Sequence, residues 1–166
     1  TSESLDDGDF NLREFQEKIN KILIGEIGNL IHRVLVLLKR RNRIEDVGFY
    51  DDVIKSNVAL LDKIEKMILK NQFDKALSYI IEIAALGNKL LSEKEPWQNL
   101  MSANSAKTLL TAYAVIISLS YVLEPFLPES ARKLRDYLQI SDENISQLRE
   151  LIINKDFIMK SVNDFL

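Results

Sequence analysis

The chain has 166 residues, 46% hydrophobic and 28% charged, which suits one domain, or one domain plus a short extension, with a real core, and its composition is not that of an intrinsically disordered chain. It has no cysteine and one histidine, His32, so disulfides, a thiol nucleophile and zinc sites built from cysteines or several histidines are excluded. A net charge of −3 with a pI near 5.3 argues against indiscriminate nucleic-acid binding through a broad positive field, and leaves room for a local basic patch.

Helical periodicity dominates, with scarce glycine and proline and no alternating strand segment. The acidic start, Thr1 to Asp7, has no apolar run after a basic residue and predicts no signal peptide. A first helix is predicted from about Asn11 to Arg41, with Ile19, Leu23, Ile27, Leu30, Ile31, Val34, Leu35 and Leu38 on its apolar side. A second spans about Asp51 to Lys70 and a third about Phe73 to Lys94, where Pro96 pushes Glu95 out of helical geometry. The fourth, about Ala106 to Leu123, is apolar nearly all round. Its uncharged run, Thr108 to Leu123, is shorter than the roughly 20 residues of a membrane span, so a central buried helix is expected. The fifth starts at Pro128, a favourable first helical residue, and runs to about Leu138. Beyond Ser141, Ile145, Leu148, Leu151, Ile152 and Phe157 predict one or two further short helices. Short connections make neighbours antiparallel. The expectation is an all-α antiparallel bundle of about five helices over residues 1–140, with 141–166 a helical extension packed on it.

Catalytic signatures are missing. The glycines, at 8, 25, 28, 48 and 87, form no phosphate-binding loop, and there is no G-x-S-x-G elbow for a nucleophilic serine. Asp6-Asp7 and Asp51-Asp52 sit at helix starts, where carboxylates favour the helix dipole. The chain reads as a binding module.

Asn29 and Arg33 are four apart and share one helix face, with Gly25 a turn before and Arg40 two turns after. An amide offers donor and acceptor together and a guanidinium offers a planar fork, groups that suit base recognition; an ordinary polar face has the same look. His32 neighbours this strip, as a plain exposed histidine or an extra contact. Lys39, Arg40, Arg41 and Arg43 crowd the end of the same helix, either as dipole partners or as phosphate contacts. Trp97, the only tryptophan, follows Pro96 just past the third helix. It caps the core there or forms a platform for an unstacked base.

Gly28-Asn29-Leu30-Ile31-His32-Arg33 resembles the G-N-[LF]-x-x-R segment of methionyl-tRNA synthetases, approached through Asp9-Phe10, Phe15, Ile19-Asn20 and Leu23. Leu90 to Trp97 resembles that family's segment ending in Pro-Trp, and Val122 to Pro128 its L-x-P-F-[LM]-P segment. The resemblance covers about Asp7 to Leu138. It implies an α-helical anticodon-binding domain of class I synthetase type that takes the CAU anticodon of methionine and initiator tRNAs, in the cytoplasm. Asn29 and Arg33 would then read base edges, Trp97 would stack on the splayed wobble cytosine and Pro96 would flank it, with His32 nearby. Lys39, Arg40, Arg41 and Arg43 would hold the phosphate backbone.

Two departures stand out. H-I-G-H and K-M-S-K-S are absent, and Lys66-Met67-Ile68-Leu69-Lys70 is only a lookalike inside an amphipathic helix. The chain is therefore expected not to be catalytic alone. It would need no cofactor, while ATP, with or without zinc, would belong to a catalytic part outside it. Residues 141–166 do not follow the family pattern. The alternatives are the equivalent domain of a leucine, isoleucine, valine or cysteine enzyme, or a helical protein–protein interaction module.

Overall fold

The computed structural model describes residues 12–142 and 147–166. Asp9, Phe10, Asn11 and Ile145 lie outside the described residues, as do the side chains of Phe15 and Leu23. The described residues are all-α and contain no strand. Helix α1 is Leu12–Ile22, α2 Gly28–Arg41, α3 Asp51–Leu69, α4 Phe73–Lys94, α5 Ala103–Val122, α6 Pro128–Leu138, α7 Leu148–Ile153 and α8 Lys155–Phe165.

The first predicted helix is not continuous. A π-helical turn, Leu23–Ile27, separates α1 from α2. Two glycines, Gly25 and Gly28, weaken the helix there. The Asn88 side chain of α4 reaches across and donates to the Glu26 carbonyl at 3.1 Å, satisfying a backbone group within the widened turn. Gly87, one residue earlier on α4, lets Leu30 of α2 come so close that a Cβ on residue 87 would lie 2.7 Å from Leu30 Cδ2. This close approach seats the start of α2, and with it Asn29, on α4.

The helix ends follow local chemistry. Asn42 caps α2 in the left-handed region, φ 64°, with its N–H on the Leu38 carbonyl at 2.8 Å. Glu95 ends α4, and its backbone is left-handed (φ 45°) rather than extended as the following Pro96 had suggested. Ser102 caps α5 by accepting from the Ser105 N–H at 3.1 Å, which starts that helix three residues earlier than the apolar run alone predicts.

The α3–α4 pair forms a hairpin across a three-residue connection, and α5 runs through the centre of the bundle. From Thr108 to Tyr121 every residue of α5 is buried. Its length and composition would let it cross a membrane, yet 89% of its most apolar window is covered by the protein itself. The hydroxyls along it are satisfied locally: Thr108 donates to Asn104 O at 2.9 Å and Thr111 to Lys107 O at 2.8 Å. Ser118 accepts from Asn57 of α3 at 2.7 Å.

Residues 147–166 pack on the bundle as two helices, α7 against α3 and α5, and α8 against α5 and α6. Arg149 of α7 pairs with Asp62 and Glu65 of α3. Buried Arg135 of α6 donates to the Ser120 carbonyl at 2.5 Å, to Glu124 at 2.6 Å and to Asp142 at 2.7 Å, tying α6 to α5 and to the start of the C-terminal segment.

Tyr113 at the centre of α5 meets Ser161 of α8, oxygen to oxygen at 3.0 Å. Burial pushes its hydroxyl from 10.0 up to about 12, and the Ser161 hydrogen bond only partly opposes this. The folded chain therefore keeps this proton while the unfolded chain releases it, so the contribution to stability is whole below pH 10.0 and is lost as pH rises toward about 12. Tyr113→Phe should show a shallower loss of stability over that window. Urea unfolding at about pH 9 and about pH 11 measures it, and equal losses in both proteins would contradict the assignment.

Candidate nucleic-acid interface

Asn29 stands exposed on the first turn of α2, and Arg33 is half-buried one turn later on the same face. The Arg33 guanidinium carbon lies 5.4 Å from the centre of the Trp97 ring, so two residues 64 apart in the chain meet in one place. Asn29, His32 and Arg33 make no side-chain hydrogen bond or ion pair with the described residues, which leaves their polar groups open to a ligand.

Trp97 is 41% exposed in the connection between α4 and α5. The Gln98 N–H closes a turn onto the Glu95 carbonyl at 3.0 Å, with Pro96 in the position where its fixed φ suits such a turn. Pro96 is buried, so it shapes the turn instead of offering surface to a ligand. Its carbonyl lies 3.0 Å from Ser105 Oγ, which also reaches the Asn99 carbonyl at 2.7 Å. A second turn follows, closed by Ser102 N–H to Asn99 O at 3.1 Å. Met101, 57% exposed, adds apolar surface to the same loop.

The four cations at the end of α2 separate into different roles. Arg40 is exposed, and Arg43 is exposed with a loose contact to Glu45 at 3.4 Å. Lys39 donates to the Phe165 carbonyl at 2.9 Å and lies 4.2 Å over that residue's ring, so it holds α8 in place. Arg41 corrects the expectation of a phosphate contact. Its side chain has 0% exposure, and its fork is spent on protein: Arg43 O at 2.9 Å, Ser102 O at 3.0 Å, Leu100 O, and Glu45 at 2.5 Å. Those partners clamp the Trp97 loop to the end of α2. A backbone hydrogen bond first, and Arg41 second, hold the Glu45 carboxyl below its ordinary range.

A model of the anticodon-binding domain of methionyl tRNA ligase matches residues 48–155. The chain belongs to this family. The matched stretch carries the Pro96-Trp97 loop and the central helix α5 of this anticodon-binding domain, and α2 precedes it. The methionine–tRNA ligase of Ignicoccus hospitalis is 36% identical over 132 residues, 77% of this chain and 24% of that protein. That of Nanoarchaeum equitans is 32% identical over 159 residues, 92% of this chain and 20% of its own length. The Pyrococcus horikoshii enzyme is 26% identical over 171 residues, 95% of this chain and 24% of its own. The chain thus spans about a quarter of the length of the curated relatives it matches.

Within this anticodon-binding domain the sequence had signalled Asn29, Arg33 and Trp97, and missed the clamp. The signal for Arg41 was available: it follows Val34 and Leu38 at the four-then-three spacing of a helix stripe, which is the core register.

Proposed function

We propose that this domain recognises the CAU anticodon of methionine tRNAs within a cytoplasmic methionine–tRNA ligase. Family membership supports the methionine assignment over the leucine, isoleucine, valine and cysteine enzymes. The single observation that carries the site is the Arg33 guanidinium over the Trp97 ring at 5.4 Å, with Asn29 one turn back on the same face.

Recognition works on an unstacked loop. Single-stranded bases offer both a π-face and a Watson–Crick edge. Arg33 covers part of the Trp97 ring, and the exposed remainder takes the splayed wobble cytosine. Asn29 and the free edge of Arg33 hydrogen-bond base edges, with His32 within reach. Arg40 and Arg43 face the phosphates. The catalytic part of the ligase, outside this chain, holds ATP and performs aminoacylation. The domain contributes selection of the tRNA.

Arg33→Ala tests the reading. Removing a charge-assisted contact to a base edge should cost about 1.5–3 kcal/mol on a CAU stem-loop, and much less on loops with other anticodons. Filter binding or anisotropy with both RNAs measures this. An equal loss on every loop would reduce Arg33 to a phosphate contact and remove base reading by this face.

A further inference from the structure

Tyr50 lies in the connection before α3, half-buried, with its backbone N–H donating to Thr111 Oγ1 of α5 at 3.1 Å. Two ammonium groups approach its ring. Lys94 Nζ, from the last residue of α4, is 4.6 Å from the ring centre, and Lys107 Nζ, from the second turn of α5, is also 4.6 Å from it. The two charges therefore lie within twice that distance of each other. Like charges this close repel, and the negative face of a tyrosine ring offsets only part of that.

No carboxylate of the described residues pairs directly with either ammonium. Glu95, Asp51 and Asp52 are near in sequence, yet among the described residues neither lysine has an ion-pair partner. The Tyr50 hydroxyl, too, makes no hydrogen bond among the described residues. In a chain of net charge −3, this is a cationic pair with no ion-pair partner among the described residues, beside an open hydroxyl donor. Its position is specific. Lys94 precedes the Glu95–Ser102 loop and Lys107 follows it, so the pair flanks the segment that presents Trp97.

We infer that Lys94, Lys107 and the Tyr50 hydroxyl form a phosphodiester cradle, which holds the RNA backbone next to the nucleotide that stacks on Trp97. This inference rests on the anticodon reading above. A phosphate between the two ammoniums supplies the charge that the protein withholds, and its oxygens accept from lysine and tyrosine together. Such a contact fixes the register of the loop and carries no sequence information.

The test is the salt dependence of binding, measured on the 166-residue chain with a CAU anticodon stem-loop and an altered-anticodon loop. Each phosphate contact to a single strand contributes about 0.7 to the slope of log affinity against log salt. Lys94→Gln and Lys107→Gln should each lower that slope, and the double variant should lower it by about 0.7, which is roughly a fivefold loss at about 0.1 M salt. The loss should be the same factor on both loops, and Lys107→Arg should restore the slope. Wild-type slope in both glutamine variants would overturn the cradle while leaving anticodon recognition standing, and so would weaker binding at an unchanged slope. A wild-type chain that binds neither loop would overturn the anticodon reading and the cradle with it.

Discussion

Trp97→Ala is expected to weaken binding of a CAU anticodon stem-loop by about 1–3 kcal/mol, roughly a 5- to 150-fold rise in Kd. The magnitude is that of one base losing its aromatic partner. It should appear as affinity and not as stability, because the indole is 41% exposed and its loop is held by other groups. Arg33 also loses the ring it lies over, so Trp97→Ala and Arg33→Ala should not be additive. Equilibrium titration of the variant, with a thermal melt to verify the fold, measures both quantities. Unchanged affinity would remove Trp97 from the interface and leave it as part of the core's edge.

Arg41→Met should destabilise the chain by about 3 kcal/mol, although it touches no ligand. The substitution keeps the buried volume and takes the guanidinium from the carbonyls of Leu100, Ser102 and Arg43, of which Ser102 keeps the Ala106 N–H at 3.1 Å. Leaving buried acceptors unsatisfied costs about 1–3 kcal/mol each, less where water can reach them after relaxation. Glu45, 42% exposed, recovers water and adds little. A second effect follows from where those carbonyls lie. Those of Leu100 and Ser102 belong to the loop that presents Trp97, so the indole should become more accessible to a soluble quencher in Arg41→Met. Arg41→Lys should recover part of the stability, since an ammonium supplies the charge without the planar fork. Urea unfolding and acrylamide quenching measure the two effects. Wild-type stability together with wild-type quenching would show that the clamp does not set the loop.

The bundle was largely legible because its determinants are local. Pro128 at the start of α6, and the Pro96 that follows α4, act within a turn of themselves, and the apolar stripes of α2, α3 and α4 have one way to be buried, around the central α5. The break between α1 and α2 was not legible. Gly25 and Gly28 weaken the helix locally, but the contact that satisfies the widened turn comes from Asn88, 62 residues away from the carbonyl it reaches. The same division holds at the candidate interface. Asn29 and Arg33 share a face by spacing alone, but the meeting of Arg33 with Trp97 is a tertiary event. Lys94, Tyr50 and Lys107 come from three separate elements, and no spacing links them. The basic run at the end of α2 misled in one position. Arg41 lies on the buried stripe of α2, where register outweighs charge, and its guanidinium satisfies the loop beneath it.

On the proposed reading, Trp97 meets the wobble base of a CAU anticodon. As the only tryptophan, it reports on itself. The deciding measurement is its fluorescence during titration with a CAU stem-loop and with a loop altered at the wobble position. Saturable quenching by CAU, absent or much weaker with the altered loop, is the predicted result. No change with either loop, or equal quenching by both, would contradict it.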